Sequence, residues 1–262
     1  MEKLFVIKIG GNVIDDDSML HSFLQNFSVL QGKKILVHGG GKIASKTGEQ
    51  LGINANYVQG RRITDAATID LVTMVYGGLI NKKIVAKLQS LQCNAIGLTG
   101  ADANIIPAVK RSVKEIDYGF VGDINASTLT VGSWQLFLNN DLVPVVAPLT
   151  HDGKGQLLNT NADTIASALA VALAKLYEVR LIYCFEKKGV LENILDEDSV
   201  INLITKEKYR QFIAEKRLAD GILPKIDNAF AAIDNGVNEV LIGDANELLQ
   251  NCTENVKGTL FR

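Results

Sequence analysis

The chain of 262 residues carries 27 Lys and Arg against 29 Asp and Glu, a formal charge of −2, with 47% hydrophobic residues, 23 Gly, 4 Pro and 3 Cys. At ~150 residues per domain this is one large or two modest domains, enough to bury a core without disulfides or structural metals. The charge balance leaves no basic footprint for nucleic acid, and the apolar content excludes general disorder.

In chain order, short β-branched apolar runs predict strands at residues 4–9, 34–38, 94–98, 142–148, 179–185 and 239–242. Amphipathic stretches predict helices at 18–30, 66–79, 162–176, 206–215 and 225–235. The alternation specifies an α/β fold, a three-layer sandwich around a mostly parallel central sheet. Residues 105–131 break the rhythm with alternating Val109 and Val113 and a turn-rich Asp117-Tyr118-Gly119-Phe120-Val121-Gly122-Asp123, which predicts an antiparallel hairpin inserted on that sheet. No Pro/Gly/Ser linker or internal repeat divides the chain. If there are two lobes, the join falls near 176–179, giving lobes 1–176 and 177–262.

No stretch reaches the ~18–20 unbroken apolar residues of a membrane span, since 165–176 is interrupted by Ser167 and Lys175. The N-terminus runs into its first strand without a signal-peptide core. Cys93, Cys184 and Cys252 form no CxxC or Cys/His cluster and read as free thiols in a reducing compartment. The expectation is a soluble, cytoplasmic protein with no membrane or nucleic-acid partner and no metal ligated by side chains.

Ligands of an open parallel sheet bind beyond the carboxyl ends of its strands. Two glycine clusters stand there, Gly10-Gly11 after the first strand and Gly39-Gly40-Gly41-Lys42 after the second. The second runs from strand into glycine turn into helix, which is an anion site by geometry or a tight structural turn. It is not a P-loop, because Ile43 follows Lys42 where Ser or Thr is required. Lys8 sits inside an apolar strand just before Gly10, a costly position unless the charge meets an anion or a carboxylate; the alternative is an edge lysine reaching solvent. In Asn159-Thr160-Asn161-Ala162-Asp163, Asn161 is a natural helix cap and Asp163 suits the first turn, yet the helix that follows is apolar nearly all round, so its start must open onto something polar. Asn159 and Asn161 on that extended segment have the placement to grip a substrate. Pro224 starts a helix well, but Lys225 beside it has the wrong sign for the helix dipole, which a ligand phosphate or simple solvation explains. One of Arg61 and Arg62 has the placement to bind a carboxylate bidentately, and pattern does not say which. The three histidines, His38 among them, form no triad, so nucleophilic catalysis is unsupported.

Taken together, Lys8-Ile9-Gly10-Gly11, His38-Gly39-Gly40-Gly41, Gly60-Arg61-Arg62-Ile63-Thr64, Gly119-Phe120-Val121-Gly122, Asn159-Thr160-Asn161-Ala162-Asp163, Gly189-Val190, Asp220-Gly221-Ile222-Leu223-Pro224-Lys225 and Gly258-Thr259 resemble the amino acid kinase superfamily and, within it, the acetylglutamate kinases. The resemblance runs essentially end to end. It implies an N-lobe with the N-acyl-glutamate site and the dimer interface, a C-lobe for ATP with Mg²⁺, and phosphoryl transfer to the γ-carboxylate in arginine biosynthesis. By the same carry-over, Lys8 and Lys225 neutralise the transferring phosphoryl group and Asp163 orients both. Gly10, Gly11, Gly40 and Gly41 supply amides, Gly40, Gly41, Arg62 and Asn159 hold the substrate, and Gly10, Gly11, Glu186, Gly189 and Leu218 face the nucleotide. The chemistry fits, because an acceptor carboxylate is already ionised at neutral pH and needs no general base.

Two departures stand out. Where the family usually carries a Ser/Thr-Asp-Val type turn, this chain reads Cys184-Phe185-Glu186-Lys187-Lys188-Gly189. The extra N-terminal helix of the arginine-inhibited hexamers has no counterpart in this sequence, so the expectation is a homodimer insensitive to arginine. The rival readings are N-succinylglutamate as substrate, a non-catalytic nucleotide or amino-acid sensor on the same fold, and a Rossmann dehydrogenase that leaves Lys8 and Lys225 unexplained. The acyl pocket is expected near 126–129 or 74–77.

Overall fold

The structure, a computed structural model, describes residues 1–262 apart from 59, 194, 216 and 218–221. Eight strands form the central sheet: β1 (Lys3–Ile9), β2 (Lys33–His38), β3 (Ala95–Leu98), β4 (Val143–Val146), β5 (Glu178–Phe185), β6 (Leu203–Ile204), β7 (Glu239–Asp244) and β8 (Thr259–Phe261). Their order is β6-β8-β7-β5-β1-β2-β4-β3, and every neighbouring pair is parallel except β7–β8. All six predicted strands are present. The two short strands β6 and β8 carry too little pattern to be seen in advance.

Alternation along β1 builds the three layers. Leu4 and Val6 face a core that includes Ile165, Leu169 and Leu173 of the helix Ala162–Leu173 and Phe230 of the helix Leu223–Asp234. Phe5, Ile7 and Ile9 face the opposite core, with Phe23 and Phe27 of the helix Asp17–Val29 and Ile84 and Leu88 of the helix Asn81–Ser90. Each such side chain contributes ~1.5–3 kcal/mol by leaving water. Lys8 shares the face of Leu4 and Val6, so strand period alone aims it at the helix that starts at Ala162.

The hairpin expected on the sheet lies off it. Val109–Lys110 pairs antiparallel with Gly122–Asp123 as a separate two-residue ribbon, and a second, unpredicted ribbon joins Leu149–His151 to Leu157–Asn159. The sheet edge that such a hairpin would occupy ends instead in β3, and the antiparallel strand within the sheet is β8. The helix predicted over 66–79 also divides. It is α-helical over Ala66–Val72 and π-helical over Thr73–Ile80, a rare form that recurs at functional sites. Here it packs Tyr76 and Ile80 against Gly40. Among the described residues no helix is long and apolar enough to cross a membrane.

Candidate active site

β1 is flanked by β2 on one side and β5 on the other, so chain connections leave it in opposite directions, and the crevice beyond its carboxyl end is where an open α/β sheet takes ligands. A cavity of about 240 Å³ opens there, lined by Lys8, Gly11, Gly39–Gly41, Arg61, Arg62, Arg111, Asn159 and Asp163 together with Tyr57 and Tyr76.

Lys8 enters from β1. Its side chain is 9% exposed, and its Nζ lies 2.8 Å from Asp163 Oδ1. Asp163 is held by its helix: the Asn161 side chain accepts from the N–H groups of Asp163 (2.8 Å) and Thr164 (3.1 Å), as an N-cap should. Asn161 thus spends its oxygen on the cap rather than on a ligand. Lys225 arrives from the first turn of Leu223–Asp234, which contains no acidic residue. Its Nζ lies 3.9 Å from the centre of the Phe185 ring, and the Lys8 Nζ lies 5.1 Å from the same ring. The two ammonium groups are therefore at most about 9 Å apart by addition of those distances. Burial lowers the Lys225 pKa from the usual lysine value, with Asp163 and Glu186 opposing the shift and Lys8 adding to it. Phe185, the departure noted in the sequence, is the aromatic ring that both cations approach.

The glycine turns lie side by side. Gly10 N–H donates to Cys184 O at 3.3 Å and Gly39 N–H to Ile9 O at 3.2 Å, stitching β1 to its two neighbours. Gly10 was expected to offer its amide to phosphate, but that amide is committed to Cys184. The N–H groups of Gly11, Gly40 and Gly41 have no acceptor among the described residues. Gly40 sits at φ +146°, and a Cβ there would overlap Ile80 Cδ1, so only glycine fits.

Of the adjacent arginines, Arg62 is the buried one and Arg61 is exposed. Arg62 Nη2 shares its two N–H bonds among Gly41 O and Ser45 Oγ, each at 2.8 Å, and Tyr57 Oη, while the guanidinium stacks 4.8 Å from the Tyr57 ring centre. Its Nη1 is buried without a hydrogen-bond partner, and no described acidic side chain pairs with it. A buried cation with a spare donor is built for an anion. Asn159 Nδ2 donates to Thr64 Oγ1 at 3.0 Å, and the residue lines the cavity.

Of the remaining sequence candidates, Gly189 and Glu186 do not line this cavity. Gly189 is packed where a Cβ would meet Thr259 Oγ1 at 2.7 Å, which gives it a structural reason to be glycine. Glu186 is exposed at the end of β5. Leu218 and the Asp220-Gly221 pair lie outside the described residues. Of the segments expected near an acyl group, 74–77 contributes Tyr76 to the cavity, and Ala126 of 126–129 lines a neighbouring one with Arg61 and Asn161. Tyr57 and Arg111 went unrecognised in the sequence, and Tyr76 was named only within 74–77. Arg111 is fixed by Asp123, with Nε at 3.1 and 3.2 Å from the two carboxylate oxygens, across the ribbon the turn-rich segment forms. That pairing was legible only through the ribbon's register.

Among the described residues no group of three or more His, Cys, Asp or Glu is placed to hold a metal ion. The side chains of the cavity suit two anions brought together and a phosphoryl group neutralised between them.

Comparison with known proteins agrees with this geometry. The family model described as the amino acid kinase family matches residues 3–244. An acetylglutamate kinase from Phocaeicola vulgatus is 55% identical over 92% of this chain and 93% of its own, and one from Cytophaga hutchinsonii is 55% identical over 97% and 96%. Among solved structures, the smu.665 protein from Streptococcus mutans superposes with a TM-score of 0.76 at 30% identity, covering 99% of this chain and 98% of that one. A chain matched from its first strand to the end of β7, with relatives this similar over nearly their whole length, belongs to the amino acid kinase family.

Proposed function

We propose that this protein transfers the γ-phosphoryl group of MgATP to the γ-carboxylate of N-acetyl-L-glutamate, a step of arginine biosynthesis. The observation that carries the reading is that Lys8 and Lys225 both approach the Phe185 ring, with Asp163 paired to Lys8 and acting electrostatically on Lys225. The acceptor carboxylate is ionised at neutral pH, so the site has to overcome repulsion between two anions rather than remove a proton. Lys8 and Lys225 neutralise charge on the phosphoryl oxygens in flight, and Asp163 sets the position of both. Gly11 offers its amide to the phosphates, and Gly10 holds that turn in place. Gly40, Gly41, Arg62 and Asn159 hold the N-acyl-glutamate, Arg62 Nη1 taking the α-carboxylate. Glu186, Gly189 and Leu218 belong to the nucleotide side.

Mg²⁺ enters as part of the nucleotide. Such ions are commonly held by substrate phosphates and water, and the cavity offers no carboxylate cluster for one among its described residues. The reading assigns acceptor binding to residues 1–176 and nucleotide binding to 177–262, and a cytoplasmic homodimer to the whole. Met74 and Leu79, exposed on the Thr73–Ile80 helix, supply an apolar contact for that dimer.

ADP release measured with N-acetyl- and N-succinyl-glutamate, with and without Mg²⁺, tests the assignment. Mg²⁺-dependent turnover of the acetyl compound is expected, and Lys8→Ala and Lys225→Ala are expected to lose turnover far more than stability. Unchanged turnover in both variants would overturn the mechanism.

A further inference from the structure

His38 closes β2 immediately before the glycine turn, is fully buried, and has no part in the transfer chemistry. Both ring nitrogens have partners. Nδ1 lies 2.8 Å from Gly39 O, and Nε2 lies 3.2 Å from Asn81 Nδ2. The Asn81 amide is oriented from both ends: Lys82 Nζ donates to its Oδ1 at 3.1 Å, and its Nδ2 donates to Val145 O at 2.9 Å. An amide NH₂ has two hydrogens, so the second is left for Nε2 of the histidine. Nε2 is then the acceptor, the ring proton sits on Nδ1, and Nδ1–H donates to the Gly39 carbonyl. Burial lowers the His38 pKa to about 4, with Lys82 adding to the shift and the Gly39 bond opposing it, so the ring stays neutral through the physiological range.

The Gly39 carbonyl and the Gly40 N–H belong to one peptide unit. The chain has no cis peptide bonds, and in a trans unit these two groups point in opposite directions. The residues on either side of that unit are both glycine, the residue type that least resists a peptide flip. A flip would turn a carbonyl oxygen, instead of a donor, toward the incoming anion. We propose that His38 is a positioning residue whose Nδ1–H pins the Gly39–Gly40 peptide so that the Gly40 N–H faces the cavity. The inference rests on the reading above that Gly40 serves an anionic acceptor substrate. It assigns a role to a histidine that the reaction itself does not require.

The test compares His38→Asn, which keeps an N–H donor near the δ position, with His38→Leu, which keeps bulk and removes it. Nitrogen-15 NMR of the wild-type ring is expected to show Nδ1 protonated and Nε2 bare, and the Gly39 carbonyl carbon shift is expected to move in His38→Leu and return in His38→Asn. In turnover, His38→Leu is expected to lose about a hundredfold in kcat/KM for N-acetylglutamate, the scale of one lost anion-hole donor, with His38→Asn recovering to within about tenfold. An Nε2-protonated ring, a Gly39 shift that does not move, or equal impairment of the two variants at matched Tm overturns the proposal. A wild-type protein inactive on N-acetylglutamate overturns the substrate reading alone, and the tautomer and carbonyl shift then decide the role of His38.

Discussion

Asp163→Asn removes one negative charge while keeping the side chain's shape and the backbone N–H that the Asn161 cap accepts. Its first consequence is on stability. Lys8, 9% exposed, loses the carboxylate 2.8 Å from its Nζ. Breaking a fully buried pair costs ~3–5 kcal/mol and an exposed one ~0–1 kcal/mol. Asp163 is 40% exposed, so water replaces part of what is lost, and the expected cost is about 2 kcal/mol. In a chain of this size that is a fall in Tm of about 4–8 °C. The second consequence is on Lys225, whose ammonium form burial and Lys8 already disfavour and Asp163 supports. Without Asp163 its pKa falls further, so a larger share of the protein carries a neutral Lys225 at a given alkaline pH. The assay is a pH profile of kcat with saturating MgATP and N-acetylglutamate. The alkaline limb is expected to move to lower pH, and kcat at neutral pH is expected to fall about 10²–10³-fold, equivalent to ~2.7–4 kcal/mol of transition-state stabilisation. Wild-type kcat with a lowered Tm would make Asp163 a structural counter-ion only. A limb moving to higher pH would give the electrostatics the wrong sign.

Three further outcomes follow from the same geometry. Arg62→Lys keeps the charge but loses the fork that reaches Gly41, Ser45 and Tyr57 while leaving Nη1 spare, so KM for N-acetylglutamate is expected to rise about a hundredfold with little change in KM for ATP; steady-state kinetics with each substrate varied checks this. Gly40→Ala forces a side chain into left-handed φ and onto Ile80, with Tyr76 Cδ1 at 3.3 Å, and is expected to cost about 2–3 kcal/mol in urea unfolding and most of the activity. His38 binds its proton more weakly when folded than when unfolded, so the unfolded chain takes up more protons between about pH 6.5 and 4 and stability drops as pH falls through that window. The shift from 6.5 to about 4 amounts to about 3 kcal/mol, read as the narrowing gap in unfolding free energy between wild type and His38→Asn from pH 7 to pH 4.

What was legible in the sequence was whatever repeats with a period or sits at a strand end. The six longer strands announce themselves by unbroken apolar runs, and β1 places Lys8 by alternation alone. The Asn161 cap and the wrong-signed Lys225 were visible because local rules of helix ends expose them. Pattern alone did not choose between Arg61 and Arg62, because the ribbon that pairs Tyr57–Val58 with Arg61–Arg62, burying Arg62 and exposing Arg61, has no sequence period to read. The same reason hid Tyr57, which pairs with Arg62 across that ribbon, and Arg111, which meets Asp123 across another. Tyr76 was named only within 74–77, and not as a wall of the glycine turn. A helix pattern predicts α-helical spacing over 66–79, whereas the π-helical turns rotate Tyr76 and Ile80 onto Gly40. Phe185 was visible as a departure but not as a platform for two lysines, since its partners come from residues 177 and 40 positions away.

The charges of the cavity carry one more consequence. Lys8, Arg61, Arg62 and Arg111 line it, Asp163 is the acidic side chain among its described lining residues, and Asp163 forms an ion pair with Lys8. A site this rich in cations attracts two anionic substrates that repel each other, and its field extends beyond the groups that finally touch them. Raising ionic strength from about 0.01 M to about 0.15 M shortens the Debye length from roughly 30 Å to 8 Å, which screens the exposed Arg61 strongly and the buried Lys8 and Arg62 much less. Salt is therefore expected to raise KM for N-acetylglutamate severalfold while lowering kcat less, because Lys8 is buried and Lys225, though exposed, sits against the Phe185 ring. Kinetics at the two ionic strengths separate these effects. A kcat that falls as steeply as KM rises would mean that Lys8 works from solvent, and the neutralising role assigned to it would fail.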